Sequence, residues 1–197
     1  MYQTEAKRKS LQEKYGGSIQ DFLRSCELVI TIENTSEENF LRSYELVQRT
    51  NQLNLSGRKY SKEDFSAMLH AGIEDTYAVK AYDKYGDYGQ VGFLAVKLAE
   101  ESLVVSEYVM SCRVAGKWLE PALIQWLANK YACKSVVFEG VDSKKNGLLI
   151  RTLQKFGLDN HTHDTGKLYL EIAREKIKWE QVATVVDKSM IIAEFSL

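Results

Sequence analysis

A strand that leads through a glycine-containing loop into a helix constrains this chain more than any other feature. Residues 103–110 are mostly apolar and include three valines, and Gly116 lies in the loop that follows them. A helical pattern begins at Leu119, with Pro121 in its first turn, where a proline costs little because its missing N–H needs no intrahelical partner. Unpartnered amides at such a junction lie at the positive end of the helix dipole. The junction therefore predicts a phosphate-binding loop.

The order of the remaining elements predicts an α/β protein of the α+β, three-layer kind, with helices on both faces of a mixed, mostly antiparallel sheet. We expect a connector helix in residues 1–25, a main domain in 26–175, and a carboxy-terminal extension in 176–197 that packs on it. Periodicity and capping residues predict helices over residues 2–15, from 36, from 61, from 119, over 146–155 and over 176–190, and strands over 27–33, 77–82, 89–98, 103–110, 135–139 and 167–172.

Composition excludes several classes of partner. With 197 residues, 45% of them hydrophobic, the chain can bury the core of one full domain. A formal charge of −1, from 26 basic and 27 acidic residues, argues against nucleic acid or an anionic membrane as the main partner. Three cysteines without a C-x-x-C pair, a polar amino terminus and no long apolar stretch predict a reduced, cytoplasmic protein.

Four short segments, in the same order along the chain, resemble segments of one protein family. They are residues 49–56 (RTNQLNLS), 58–61 (RKYS), 82–89 (YDKYGDYG) and 110–114 (MSCRV), the last followed by Gly116 and Glu120. On these residues the chain resembles the carboxy-terminal, GNAT-like half of FkbH-like proteins, whose other half is a HAD-type phosphatase-like domain. No D-x-D-x-T segment is present, so the resemblance implies no phosphatase activity for this chain.

Two segments resemble the cofactor-binding parts of GNAT acyltransferases more generally. Residues 113–118 resemble the R/Q-x-x-G-x-G/A loop, with Trp118 in place of the second small residue. Residues 146–158 resemble the segment that follows in that family, with Leu153 in place of the usual tyrosine. The resemblance implies that coenzyme A or a phosphopantetheine thioester, without a metal, is held by Arg113, Val114, Ala115, Gly116, Lys117, Trp118 and Asn146.

We expect the cleft for this arm where the strand over residues 103–110 diverges from the strand over residues 135–139. The FkbH-like resemblance implies an acyltransferase-like domain that handles a glyceryl-type thioester, with an acyl carrier protein or a HAD-type domain as its partner. Two alternatives remain open. One is a non-catalytic module that docks a carrier protein or the HAD-type domain, and the other is a small-molecule N-acetyltransferase that uses acetyl-coenzyme A.

Polar side chains in the family-like segments are the candidates for substrate contact. Asn51, Gln52 and Asn54 concentrate amides that either cap the end of a helix or pair with the hydroxyl groups of a substrate. Arg58 is a further candidate. Asp87 is another, although the chemistry of a tight turn accounts for an aspartate at that position equally well.

Cys112 and Glu120 are the candidate catalytic residues. Cys112 adjoins Arg113 and the predicted helix start, an electropositive setting that suits a nucleophilic thiolate, but a buried strand-end cysteine would fit the same pattern. Glu120 either serves as a general base or complements the helix dipole. Cys26 and Cys133 are expected in the core. His161, His163 and Asp164 are too close together in one loop to form a convincing metal site, so we predict none.

Overall fold

A computed structural model of the chain describes residues 15–162 and 167–189. None of the helices in these ranges is long and apolar enough to cross a membrane. The described residues form eight strands, five α-helices and two short 3₁₀ turns. The strands are β1 (Leu28–Asn34), β2 (Asp75–Asp83), β3 (Gly86–Ala99), β4 (Ser102–Met110), β5 (Ser135–Val141), β6 (Asp159–Thr162), β7 (Lys167–Ala173) and β8 (Ala183–Asp187). The helices are α1 (Ile19–Ser25), α2 (Glu37–Arg49), α3 (Lys62–His70), α4 (Leu119–Tyr131) and α5 (Gly147–Lys155), and the 3₁₀ turns are Cys112–Val114 and Arg174–Lys176.

All eight strands belong to one sheet, in the order β6-β7-β5-β4-β3-β2-β1-β8. The β4–β5 and β1–β8 pairs are parallel, and every other neighbouring pair is antiparallel. The prediction of a mixed, mostly antiparallel sheet with helices around it is therefore confirmed.

Helices cover the sheet on both faces, because β3 and β4 carry apolar side chains on both of their sides. On one face, α2 and α3 pack against Phe93, Ala95 and Val109, with the fully buried Phe65 of α3 between them. On the other face, α4 and α5 pack against a larger core that includes Tyr108 and residues of β5 and β7.

Local capping chemistry fixes where the helices start. The side chain of Asn39 accepts a hydrogen bond from the Ser36 N–H (2.9 Å) at the start of α2. The Ser61 hydroxyl accepts one from the Asp64 N–H (3.0 Å) at the start of α3, as the capping-box spacing predicted. The α4 helix begins after Trp118, whose φ of 57° lies in the left-handed region.

The prediction of a helix over residues 176–190 is wrong within the described residues. In place of a helix over residues 176–190, the chain forms the Arg174–Lys176 turn and then β8, which runs parallel to β1. The apolar residues at 182, 185 and 186 have helical spacing, and the free edge of β1 supplies the backbone partners that favour the strand. The sequence patterns did not predict β6 either. The predicted helix over residues 2–15, apart from residue 15, and the chain after residue 189 lie outside the described residues.

Candidate functional site

The predicted cleft between β4 and β5 contains a segment of the chain itself. The two strands pair only from Ser102–Ser135 to Val105–Phe138 and then diverge. We call the space between residues 106–110 of β4 and residues 139–141 of β5 the β4–β5 gap. Residues 53–55, here termed the inserted segment, occupy this gap.

Backbone hydrogen bonds join the inserted segment to the free edge of β4. The Leu55 N–H donates to the Tyr108 carbonyl (3.1 Å), and the Met110 N–H donates to the Leu53 carbonyl (2.8 Å). Asn54 is thereby paired antiparallel with Val109. These edge atoms are the ones that an extended, amide-bearing ligand in the gap would need.

The other side of the inserted segment is held by β5 and by Asn146. The Val141 N–H donates to the Leu55 carbonyl (3.1 Å). The fully buried side-chain amide of Asn146 lies within hydrogen-bond distance of the carbonyls of Asn54 (3.2 Å), Leu55 (3.3 Å) and Val141 (2.8 Å). Asn146 was predicted to contact a pantetheine arm. Its donors are instead directed at the chain's own backbone.

Packing also favours the inserted state. Leu53 and Leu55 are 4% and 0% exposed, and burial of a leucine contributes about 1.5–3 kcal/mol. Gly140 of β5 permits the close approach, because a Cβ atom there would lie 2.6 Å from the Leu55 carbonyl oxygen. The inserted segment is therefore an integral layer of the core.

The predicted phosphate-binding loop uses most of its amides internally. The N–H groups of Val114, Ala115 and Lys117 donate to the carbonyls of Ser111 (3.1 Å), Cys112 (3.2 Å) and Val114 (3.1 Å). Three of the five amides between residues 114 and 118 thus belong to the turn itself. The expectation that this whole set converges on a phosphate is wrong for these three.

Two side chains of this loop pack into the protein. Lys117 is 1% exposed, and its Nζ atom lies 4.5 Å from the centre of the Tyr88 ring. The indole of Trp118 meets the Phe156 ring edge-on, with 5.5 Å between ring centres. Neither side chain is free to surround an anion as the GNAT loop resemblance implied.

Glu120 lies in the first turn of α4, at the positive end of the helix dipole, and is 5% exposed. Burial raises the pKa of its carboxyl, and a hydrogen bond from its own backbone N–H partly offsets that rise. Within the described residues, its Oε2 atom and the buried Tyr108 hydroxyl have no hydrogen-bond partner. Glu120 is thus buried at the start of α4. It does not line the groove beside Cys112 that is described next.

A groove on the α2 face of the sheet does bring predicted residues together. The Cys112 groove has a volume of about 430 Å³ and lies between the end of α2 and the end of β4. Cys112 is exposed, whereas Cys26 and Cys133 are buried. The groove is lined by Arg42, Glu45, Leu46, Arg49, Thr50, Asn51, Gln52, Leu53, Ser111 and Cys112.

Positive charge predominates in the Cys112 groove. Arg42 and Arg49 both face Glu45, at 3.0 Å and 4.0 Å between nitrogen and oxygen. Arg113 turns its Nε toward the Ser111 hydroxyl (3.3 Å) at the edge of the groove. Because two arginines accompany one glutamate in the lining, the groove suits a ligand that carries or develops negative charge.

Three predicted substrate residues lie elsewhere. Asn54 is 1% exposed, and its side-chain oxygen accepts hydrogen bonds from the Ser56 hydroxyl (3.2 Å) and the Gly57 N–H (2.9 Å). Arg58 forms an ion pair with the buried Glu107 (3.3 Å) and does not line the Cys112 groove. Asp87 accepts a hydrogen bond from the Gly89 N–H (2.7 Å) in the β2–β3 hairpin. This contact corresponds to the tight-turn role that the sequence also allows for Asp87.

The sequence predictions missed a buried carboxylate on β4. Glu107 is fully buried and accepts hydrogen bonds from the hydroxyls of Ser56 and Tyr60 (2.5 Å each) and from Arg58 (3.3 Å). Burial raises its pKa, while these three partners favour the charged form. An inward-facing glutamate in an apolar strand was the available signal. The cluster ties the chain after the inserted segment to β4.

Among the described residues, Cys26, Cys133, His70 and His161 form no site. The buried Cys26 thiol lies 3.3 Å from the Phe22 carbonyl, and burial raises the pKa of the Cys133 thiol. No group of three metal-binding side chains occurs among residues 15–162 and 167–189. His163 and Asp164 lie outside the described residues.

Another depression, of about 590 Å³, lies where α4 meets β8 and contains none of the predicted site residues. Most of its polar groups pair with one another. Asp187 accepts hydrogen bonds from the Trp126 indole (2.9 Å) and from Lys130 (3.3 Å), and the Tyr131 hydroxyl donates to Asp75 (2.5 Å). The lining of this depression therefore offers no exposed nucleophile comparable with the thiol of Cys112.

Solved structures with the same architecture identify the fold. No protein-family model matches the sequence, and no curated protein matches it either. The ribosomal-protein-S18-alanine N-acetyltransferase from Escherichia coli is similar, with a TM-score of 0.52, 13% identity and coverage of 77% of this chain and 96% of that chain. The spermidine N-acetyltransferase from Vibrio cholerae, solved with CoA and spermine, has a TM-score of 0.54, 10% identity and coverage of 75% and 97%. A nucleotide-linked sugar GNAT has a TM-score of 0.55 and 13% identity, with coverage of 75% of this chain and 88% of that chain. At these identities the likeness shows that the chain has the GNAT fold.

The buried Glu120 carboxyl should make stability depend on pH. Because burial raises its pKa above the ordinary value, the folded chain binds this proton more tightly, and its contribution to stability falls as pH rises above about 4.5. We expect the free energy of unfolding of Glu120→Gln, relative to the unchanged protein, to rise between pH 5 and pH 8. The rise is at most about 1.4 kcal/mol per pH unit.

Urea denaturation at several pH values measures this difference. Glu63→Gln, at an exposed position of α3, is the control and should give a curve parallel to that of the unchanged protein. A parallel curve for Glu120→Gln as well would contradict the burial of a titrating carboxyl at the start of α4.

Proposed function

We propose that this chain is a GNAT-fold acyl-transfer domain that takes an acyl group from a thioester onto the thiol of Cys112. The observation that carries the proposal is the meeting of two distant segments at the Cys112 groove. Asn51 and Gln52 follow α2, whereas Ser111 and Cys112 follow β4, and all four line the same groove. Both segments belong to the motifs that resemble FkbH-like proteins.

Acyl transfer at this position is a thioester exchange. The Sγ atom of Cys112, as a thiolate, bonds to the acyl carbon, and the bond between that carbon and the donor sulfur breaks. The donor leaves as a thiolate and takes up a proton, which balances the proton that Cys112 gave up. No histidine is among the described residues that line the groove, so solvent carries the proton. Arg42 and Arg49 supply positive charge near the oxygen that becomes negative in the transition state.

The exposed amides of Asn51 and Gln52 suit an acyl group that carries hydroxyls. Each side-chain amide offers two donors and one acceptor oxygen. A site that pairs with substrate hydroxyls rejects analogues that lack them, because its polar groups are then left without partners. A glyceryl-type acyl group, which the FkbH-like resemblance implies, has this chemistry.

The donor in this proposal is a phosphopantetheine arm on an acyl carrier protein. The FkbH-like resemblance supports this choice and also supports a HAD-type protein as a partner. The acyl group passes from Cys112 to the next acceptor by the reverse of the same exchange. Arm and acyl group then both reach the thiol through the exposed groove on the α2 face.

A second candidate is a docking module without chemistry of its own. The filled β4–β5 gap favours it, because the predicted cleft for a thioester arm contains residues 53–55. In that case the chain binds the carrier or the HAD-type protein but forms no covalent intermediate. Covalent labelling of Cys112 separates the two candidates.

Incubation of the protein with glyceryl-pantetheine thioester should add one acyl group, which peptide mass spectrometry should assign to Cys112. Cys112→Ala should abolish the label, because it removes the only exposed thiol among the described residues. Cys133→Ala is the matched control and should keep the label. Stable binding of an acylated carrier protein without any label would contradict acyl transfer and support the docking module.

Gln52→Ala should distinguish recognition of the acyl group from general reactivity of the thiol. We expect the acylation rate with the glyceryl thioester to fall about tenfold, equivalent to about 1.4 kcal/mol, which is the scale of one lost hydrogen bond. The rate with the corresponding acetyl thioester should change little. Gln125→Ala, at a partly exposed position of α4 away from the groove, is the control. Equal losses with both thioesters would argue against a hydroxyl-recognising site.

A further inference from the structure

Coenzyme A needs two places in the cleft that the GNAT resemblance implied. Its extended arm carries amide groups that require strand-edge partners between β4 and β5. Its pyrophosphate requires free amides and positive charge at the start of α4. Atoms of the chain itself fill both places.

In the place of the arm, the chain supplies its own extended backbone. The Tyr108 carbonyl and the Met110 N–H on β4 are bonded to the inserted segment, and so is the Val141 N–H on β5. Leu53 and Leu55 fill the apolar space at the same level. An arm and residues 53–55 cannot occupy the gap together.

In the place of the pyrophosphate, the chain supplies a carboxyl group. Glu120 is buried in the first turn of α4 and accepts a hydrogen bond from its own N–H. The N–H groups of Val114, Ala115 and Lys117 are bonded within the preceding turn. A phosphate at this helix start would meet the buried carboxyl group and few free donors.

Two residues are suited to keep the inserted segment in place. Asn146 bonds to carbonyls on both the segment and β5, so it bridges the gap. Gly140 lets the Leu55 backbone approach β5 closely, since any larger residue would place its Cβ 2.6 Å from the Leu55 carbonyl oxygen. Neither residue lines the Cys112 groove.

We propose that the inserted segment is a specificity element that excludes coenzyme A from the β4–β5 gap, so that the nucleotide of a donor thioester contributes no binding energy in this domain. Asn146 and Gly140 act as positioning residues for it. The choice among thioesters rests on the proposed acyl transfer to Cys112, whereas the exclusion of coenzyme A does not. Donors then reach Cys112 through the groove on the α2 face. This route includes neither the β4–β5 gap nor the start of α4.

The first test compares donors on the unchanged protein. We expect acetyl-coenzyme A to acylate Cys112 no faster than acetyl-pantetheine, and desulfo-coenzyme A, which lacks the exchanging thiol, at about 1 mM to leave that rate within about twofold. Isothermal titration calorimetry should show no saturable binding of coenzyme A. Saturable binding with Kd below about 100 µM, or at least tenfold faster acylation by the nucleotide-bearing donor, would overturn the inference.

The second test moves the inserted segment and needs no thioester. We expect amide hydrogen exchange of Leu55, followed by NMR, to become at least tenfold faster in Gly140→Ala and in Asn146→Ala. Gly16→Ala is the matched control, since a Cβ there meets nothing within 4 Å. Unchanged exchange in Gly140→Ala would show that residues 53–55 do not lie against β5.

The two proposals fail in different ways. If no thioester labels Cys112 while coenzyme A still does not bind, acyl transfer fails and the exclusion of coenzyme A stands. If Cys112 is labelled and coenzyme A binds tightly, the specificity element fails and acyl transfer stands.

Discussion

Backbone pairing between residues 53–55 and the diverging edges of β4 and β5 is the interaction on which the site depends. Parallel strands that separate leave N–H and C=O groups without partners, and in a buried position each such group costs about 1–3 kcal/mol. The inserted segment satisfies the edge of β4 at Tyr108 and Met110 and that of β5 at Val141. It also buries two leucines in the larger core. The chain thus completes its own sheet at the point where the GNAT resemblance implied a ligand.

The position of the inserted segment also creates the Cys112 groove. Because Leu53 is paired with Met110, the residues just before it, Asn51 and Gln52, are carried to the end of β4 beside Cys112. After the segment, the Glu107 cluster fixes the chain again to β4. One stretch of sequence therefore closes the cleft on the α4 face and forms a polar groove on the α2 face.

Strong local patterns made the fold predictable: the capping residues of α2 and α3, the proline in the first turn of α4 and the valine-rich strands. The β8 strand was not predictable, because its apolar spacing fits a helix. Only the free edge of β1 favours a strand over a helix there. At the site, Cys112, Asn51 and Gln52 were predicted together. Asn54, Asn146 and the loop amides were assigned to a ligand, because sequence alone does not reveal whether a donor will meet a ligand or the chain's own backbone.

A cross-strand nuclear Overhauser effect between the Hα atoms of Asn54 and Val109 tests the inserted segment most directly. These residues form a non-hydrogen-bonded antiparallel pair, in which the Cα atoms lie about 4.5 Å apart and the Hα atoms are closer still. We expect a strong Hα–Hα signal in the unchanged protein, and the same signal after addition of coenzyme A. Absence of this signal, or its loss on addition of coenzyme A, would contradict a gap that the chain fills with its own backbone.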